Sequence, residues 1–245
     1  MRICQLLAGL GDLLYPLQCS ICSKLLGYQH QSVICEQCYK DIVWISSPLC
    51  RRCGKAFTKK SGGDSLCGVC LQKPPAYTLA RSVVSYTPPI QKLVQGLKYS
   101  KDLSVLAGIS ELIHQFHLTE YRGIDYILPV PLHFKRLQQR GWNQATILSK
   151  LFFPQAKQRV LLNLLIRKEN TAAQTRLSGV QRRRNLHKAF MVQSRIDLSG
   201  TVVCLVDDVF TTGTTVEECS KVLMAAGVAK VLVLTFARAD LHGGK

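Results

Sequence analysis

From about Arg81 onward, short apolar runs alternate with segments whose apolar residues recur every three or four positions. The runs 81–86, 125–130, 160–166, 201–206 and 228–236 predict strands, and 190–192 predicts a shorter one. Segments 90–99 and 103–117 predict helices, with Leu93, Val94 and Leu97 on one face of the first and Leu106, Ile109 and Ile113 on one face of the second. Two further helices are predicted over 144–153 and 214–226, the latter closed by Gly227 where a left-handed cap belongs. Residues 167–188 are polar and basic and read as a loop with a helical turn near 178–185. Strands alternating with helices predict an α/β class: a mostly parallel sheet with flanking helices. Ligands of such sheets sit at the carboxyl ends of the strands, so the residues just after each strand carry the information.

The pattern ahead of Arg81 is different. Residues 19–70 are rich in cysteine and poor in regular hydrophobic spacing, and Pro74-Pro75 punctuates a boundary. Two domains are expected, 1–75 and 76–245. The apolar stretch 3–17 is interrupted by Gln5, Gly9, Gly11 and Asp12, which fits a short amphipathic packing helix better than a signal peptide. No apolar run reaches the roughly 18 residues of a membrane-spanning helix. The expected location is cytoplasmic, with the inner face of the membrane as a secondary possibility.

Eight of the eleven cysteines form four Cys-x-x-Cys pairs: Cys19/Cys22, Cys35/Cys38, Cys50/Cys53 and Cys67/Cys70. The inner gaps are 12 residues between Cys22 and Cys35 and 13 between Cys53 and Cys67. Each pair aims two thiolates at one point, and two pairs complete a tetrahedron around Zn²⁺. The near-equal gaps predict two structural zinc sites in tandem ribbons. Sequential pairing is the simple choice and interleaved pairing stays open. Disulfides would need an oxidising compartment. Cys204 and Cys219 fall on a strand and a helix and read as core residues.

Charge is concentrated. Lys and Arg number 32 against 15 acids, a net +17. Residues 133–195 hold fourteen Lys or Arg and a single acid, Glu169, so this stretch alone carries +13. Such a cationic segment favours phosphate-rich partners.

The sharpest chemical signal is Asp207-Asp208-Val209-Phe210-Thr211-Thr212-Gly213-Thr214-Thr215, placed after a buried strand and opening a helix. A helix N-terminus offers unpaired N–H groups to an anion. Gly213 lets the backbone approach a ligand, and the threonines add hydroxyls. Two carboxylates would repel a bare phosphate but suit sugar hydroxyls or a hard cation such as Mg²⁺. The combination points to a ribose over the acids and its phosphate in the loop. The Gly-x-x-x-x-Gly-Lys and Gly-x-Gly-x-x-Gly loops are absent from the chain.

This segment resembles the phosphoribosyl pyrophosphate signature of type I phosphoribosyltransferases. Leu128-Pro129-Val130-Pro131-Leu132, followed by Arg136 and Arg140, falls where that family has its pyrophosphate loop. Together with Arg140-Gly141-Trp142-Asn143-Gln144 and the double ribbon, the chain is similar to the ComF family, whose usual form has Phe at the position of Trp142. The resemblance spans about residues 15–240 and implies a type I phosphoribosyltransferase-like sheet behind the ribbons. It implies phosphoribosyl pyrophosphate with Mg²⁺ on Asp207, Asp208 and Thr211, Thr212, Gly213, Thr214 and Thr215, and pyrophosphate on Val130, Pro131, Leu132, Arg136 and Arg140. A hood loop or nucleic-acid surface would use Lys98, Arg167, Arg182, Arg183 and Arg184, with Thr171, Gln174 and Asn185 nearby. The implied role is DNA uptake in natural transformation, with single-stranded DNA and inner-membrane uptake machinery as partners. The alternative is an active Mg-dependent phosphoribosyltransferase with an unknown acceptor, Asp207 and Asp208 then being catalytic.

Overall fold

The computed structural model describes residues 17–27, 31–57, 62–99, 103–168, 189–193 and 196–239. The expected N-terminal helix over 3–17 lies outside the described residues except for Leu17, and so does the helical turn over 178–185. Cys4, Tyr28, Thr171, Gln174, Arg182, Arg183, Arg184 and Asn185 lie outside them too. Contacts divide the chain into two compact units, Met1–Val43 with Thr87–Phe116, and Trp44–Tyr86 with His117–Lys245. The two ribbons therefore fall in different units, and residue 75 is not where the contacts separate.

In the first unit, the ribbon helix α1 (Glu36–Lys40) accompanies two longer helices, α3 (Pro88–Tyr99) and α4 (Leu103–His114). Leu93, Val94 and Leu97 of α3 are buried, as the spacing predicts, and so are Ile109 and Ile113 of α4, while Leu106 is half-buried and Val105 and Leu112 complete the buried face. The ribbon docks on α4 at two points. A Cβ on Gly108 would lie 2.7 Å from Ser20 Cβ, so a bare backbone is needed there. The Glu111 carboxylate accepts from Ser32 Oγ at 2.6 Å and Val33 N at 2.8 Å.

The second unit carries the sheet. Its strands are β1 (Leu79–Ser85), β2 (Tyr126–Pro129), β5 (Val202–Phe210) and β6 (Lys230–Arg238). They lie in the order β1-β6-β5-β2, and every pairing is parallel. The strand interiors are mostly apolar because both faces are covered, with Arg81 and Ser82 the buried polar residues of β1. Helix α6 (Gln144–Phe152) packs on β2 and β5, and α7 (Thr214–Ala225) packs on β6. Strand β5 runs past the expected end at 206. Asp207 still pairs with Thr235 and Val209 with Ala237, so both acids lie within the strand, Asp207 on the ladder itself.

Two sequence expectations change. The apolar run 160–166 is not one strand. Val160 makes a single bridge to Ile127, Leu161 donates to the Ile127 carbonyl, and the chain then bends away. Only β3 (Leu165–Arg167) is extended, pairing antiparallel with β4 (Phe190–Val192) as a separate two-stranded sheet. Leu162 is exposed at that bend. Conversely, an unpredicted helix, α5 (Phe134–Arg140), follows the Pro-Val-Pro loop. It buries no residue and shows no apolar stripe, so its caps define it: His133 at the N-cap and Gly141 in the left-handed region at the C-cap.

The second ribbon, with its helix α2 (Gly68–Gln72), is built into the sheet. Ala80 N donates to Arg52 O at 2.7 Å. Buried Arg81 reaches Arg51 O at 3.2 Å and pairs with Glu120 at 2.7 Å.

Candidate functional site: two cysteine clusters and a phosphate-type turn

The eight cysteines converge as two sets, Cys19, Cys22, Cys35, Cys38 and Cys50, Cys53, Cys67, Cys70, with all sulfurs of a set within 4.8 Å of one another. The pairing is thus sequential. Four thiolates around Zn²⁺ at about 2.3 Å stand about 3.8 Å apart. Cys22 and Cys35 sulfurs are 3.7 Å apart, and those of Cys53 and Cys67 are 3.8 Å apart, so the geometry fits a structural zinc.

The two ribbons repeat each other bond for bond. Cys19 Sγ accepts from Cys35 N at 3.3 Å, and Cys50 Sγ accepts from Cys67 N at 3.3 Å. Ser23 N donates to Cys19 O, and Gly54 N to Cys50 O, both at 2.9 Å. Burial by itself would raise the Cys19 and Cys50 thiols. The N–H groups aimed at these sulfurs outweigh it and bring each down to about 6, the charge state a metal needs. Burial and neighbouring thiol hydrogen bonds push Cys38 up, and burial with the negative charge of Cys53 pushes Cys70 up. Cys204 and Cys219 are buried, and burial raises both thiols.

At the carboxyl end of β5, Asp207 Oδ1 accepts from Asp208 N at 2.9 Å, and Asp208 Oδ1 accepts from Val209 N at 2.8 Å. These bonds fix both carboxylates on the strand while leaving them part-exposed. The turn follows at once. Thr211 and Thr212 are exposed, and Thr212 Oγ1 lies 2.7 Å from Thr214 Oγ1. Gly213 has φ +74°, and a Cβ there would lie 2.6 Å from Phe210 Cζ. Only glycine meets both demands.

Beside it, β2 ends at Pro129, which cannot continue the ladder, and Val130 N donates to Val206 O at 2.8 Å. This sets Val130 beside Val206, the residue before Asp207, and Pro131 and Leu132 follow it in the loop to α5. Asn143 secures the loop: Nδ2 donates to Val130 O at 3.0 Å while Oδ1 caps α6 at Ala145 N, also 3.0 Å. Arg136 is half-buried on α5, and Arg140 is in its last turn. Arg167, on β3, lies 5.4 Å over the Phe190 ring. Burial lowers its pKa, the like charge of Arg136 lowers it further, and Asp207 opposes both. Two guanidinium groups therefore share one electrostatic neighbourhood with the first acid. Lys98 is in the other unit, in the last turn of α3.

Sequence reasoning missed a cleft of about 330 Å³ beside the turn. Val69, Lys73, Tyr77, Phe210, Thr212 and Arg238 line it, and Cys53, Cys67 and Cys70 contribute to its wall. A lone arginine ending an otherwise apolar strand was the available signal for Arg238. Nothing in the spacing marked Tyr77.

A double zinc ribbon domain model matches residues 10–72. A DNA utilization protein YhgH of Salmonella typhi is 34% identical over 229 residues, covering 91% of this chain and 97% of that one. The chain belongs to the ComF family. Competence protein F of Haemophilus influenzae is 33% identical, covering 84% of this chain and 90% of its own length. Competence protein ComFC of Bacillus subtilis is 21% identical over 80% of each. Among solved structures, a hypoxanthine phosphoribosyltransferase of Staphylococcus aureus matches at 11% identity, covering 61% of this chain and 74% of that one, with a TM-score of 0.35. Among the described residues, no helix is long and apolar enough to cross a membrane.

Proposed function

We propose that this ComF-family chain binds a five-carbon sugar phosphate of the phosphoribosyl pyrophosphate class with Mg²⁺, and handles single-stranded DNA in DNA uptake. The observation that carries the reading is the join of Asp207 and Asp208, fixed near the carboxyl end of β5, to a hydroxyl-lined turn with Gly213 at φ +74° heading a 12-residue helix. The carboxylates suit ribose hydroxyls and Mg²⁺, and the turn and helix start suit the 5′-phosphate. Arg136 and Arg167 supply positive charge for a pyrophosphate beside Val130, Pro131 and Leu132. The DNA role rests on the relatives named for competence and DNA utilization and on the basic stretch 133–195. The expected workplace is the cytoplasm, where a partner at the inner face of the membrane would deliver the strand.

Calorimetric titration of phosphoribosyl pyrophosphate with Mg²⁺ into zinc-loaded wild type and an Asp207→Ala/Asp208→Ala double variant tests this. Two charge-assisted hydrogen-bonding groups at about 1.5–3 kcal/mol each predict at least a hundredfold loss in the variant. A folded wild type that does not bind overturns the reading.

The cleft beside the turn favours a second reading, a transferase in which an acceptor displaces pyrophosphate from C1 of the sugar. Pyrophosphate release over a panel of amines and nucleobases decides it. No release with ligand binding intact removes the enzyme and leaves the binding protein.

A further inference from the structure

The second cysteine cluster is joined to the phosphate-type turn by an unbroken run of contacts inside one unit. Arg238, the last residue of β6, is buried. Its Nη1 donates to Cys53 O at 2.7 Å, and its Nη2 lies 3.9 Å from Cys53 Sγ. The same guanidinium lies 4.4 Å over the Phe210 ring. Phe210 is Arg238's ladder partner, its carbonyl accepts from Ala239 N at 2.9 Å, and Tyr77 meets its ring edge-on at 6.3 Å. The Cζ end of that ring is where a Cβ on Gly213 would collide, at 2.6 Å. Gly213 thus rests on Phe210, Phe210 on Arg238, and Arg238 on a cluster ligand.

We propose that Arg238 and Phe210 are positioning residues through which the second cluster sets the shape of the sugar-phosphate turn. Loading of this cluster then raises ligand affinity, while the first cluster does not take part. The inference rests on the ribose-phosphate reading above. The reasoning is geometric. Four thiolates drawn onto one ion fix the Cys53 backbone. An arginine held by both the carbonyl and the sulfur of Cys53 fixes the ring it stacks on. That ring fills the place where a side chain on Gly213 would go. An ammonium cannot replace the planar fork, which donates at its edge and stacks on its face at once.

Coupling of this kind is reciprocal: a factor gained by the ligand from the metal is returned to the metal by the ligand. The experiment therefore needs the whole wild-type chain first. Zinc release to a chromogenic chelator is followed with and without saturating phosphoribosyl pyrophosphate and Mg²⁺. Of two zinc ions per chain, one should leave at least fivefold more slowly with ligand and the other at an unchanged rate. In Arg238→Met, which keeps packing volume but loses the fork, the protection should vanish and ligand affinity should fall about tenfold. Arg238→Lys should behave like Arg238→Met, which guards against a mere packing effect. Equal release of both ions with and without ligand, from a wild type shown by calorimetry to bind it, overturns the inference alone. Wild-type affinity in a folded Arg238→Met overturns it as well. Absence of any ligand binding by wild type removes the underlying reading and this inference together.

Discussion

Ser23 and Gly54 occupy the same place in the two ribbons, one residue past the second cysteine of the first pair, at φ +59° and +70°. The left-handed region costs an L-residue roughly 1–2 kcal/mol. Ser23 bears that cost because the turn of the knuckle demands it. Replacing it by glycine relieves strain against some extra freedom in the unfolded chain, so Ser23→Gly should stabilise the zinc-loaded protein by up to about 1 kcal/mol. Gly54 has no such latitude, since a Cβ there would sit 2.4 Å from the Ala80 carbonyl oxygen. Gly54→Ala should destabilise by about 2–5 kcal/mol, strain and backbone collision together. Urea unfolding of the two variants beside wild type reads both signs. A similar cost for both would show that the ribbons are not docked as described. The first ribbon meets a comparable restriction on its partner helix. Gly108→Leu drives a side chain into Ser20, and should hasten zinc loss from the first cluster at constant pH while leaving the second unchanged, as chelator kinetics would report.

At the scale of elements, the Pro-Val-Pro loop depends on how α5 and α6 begin and end. Asn143 performs two tasks with two atoms, capping α6 through Oδ1 and holding Val130 O through Nδ2. Asn143→Ala should lose both, about 1–2 kcal/mol of stability, with weaker phosphoribosyl pyrophosphate binding. Asn143→Asp retains the capping acceptor and removes the donor. Its stability should fall less than that of Asn143→Ala while its ligand affinity falls as much, since only the loop is released. Wild-type ligand affinity in both folded variants would put the loop outside the site. The same elements explain what the sequence disclosed. Strands β2, β5 and β6 were legible because their apolar runs serve both faces, β1 because of its shorter run ending in Val83 and Val84, and α3, α4 and α6 because they carry a stripe. Helix α5 has neither signal, only caps. The run 160–166 has β-like composition but becomes a bend, because after Val160 bonds the edge of β2 the chain leaves for a different sheet. The cysteine spacing disclosed both clusters, and the Asp-Asp-Val-Phe-Thr-Thr-Gly segment disclosed the strand end and turn on which the proposed site rests. The cleft was hidden because Tyr77 lies more than a hundred residues before Phe210 and Arg238 in the chain, and the three are brought together only by the parallel pairing of β5 with β6 and the docking of the second ribbon.

For the whole molecule, the charge distribution separates two kinds of binding that the proposed function combines. A ribose-phosphate site is compact and uses a few groups at fixed distances, so its affinity should respond to Asp207 and Gly213 and only modestly to salt. A single strand tracked along a cationic surface exchanges bound phosphates for released counterions, so log K should fall linearly with log salt, by about 0.7 per phosphate contacted. Residues 133–195, with fourteen cations and one acid, are where such a surface would come from. If Arg182, Arg183 and Arg184 each meet one phosphate, replacing all three by alanine should flatten that slope by about 2. Phosphoribosyl pyrophosphate binding should survive in the same variant if these arginines serve the strand, and fall if they cover the pyrophosphate. Fluorescence anisotropy of a labelled oligothymidine across a salt series, paired with calorimetry on the small ligand, reads the two activities in one protein. A slope unchanged by the triple substitution would move the DNA contact away from this segment, and a salt-independent affinity would remove backbone tracking altogether. The Asp207→Ala/Asp208→Ala variant supplies the reverse control: it should lose the small ligand and keep the slope, because removing two acids adds no phosphate contact to a surface that lies elsewhere.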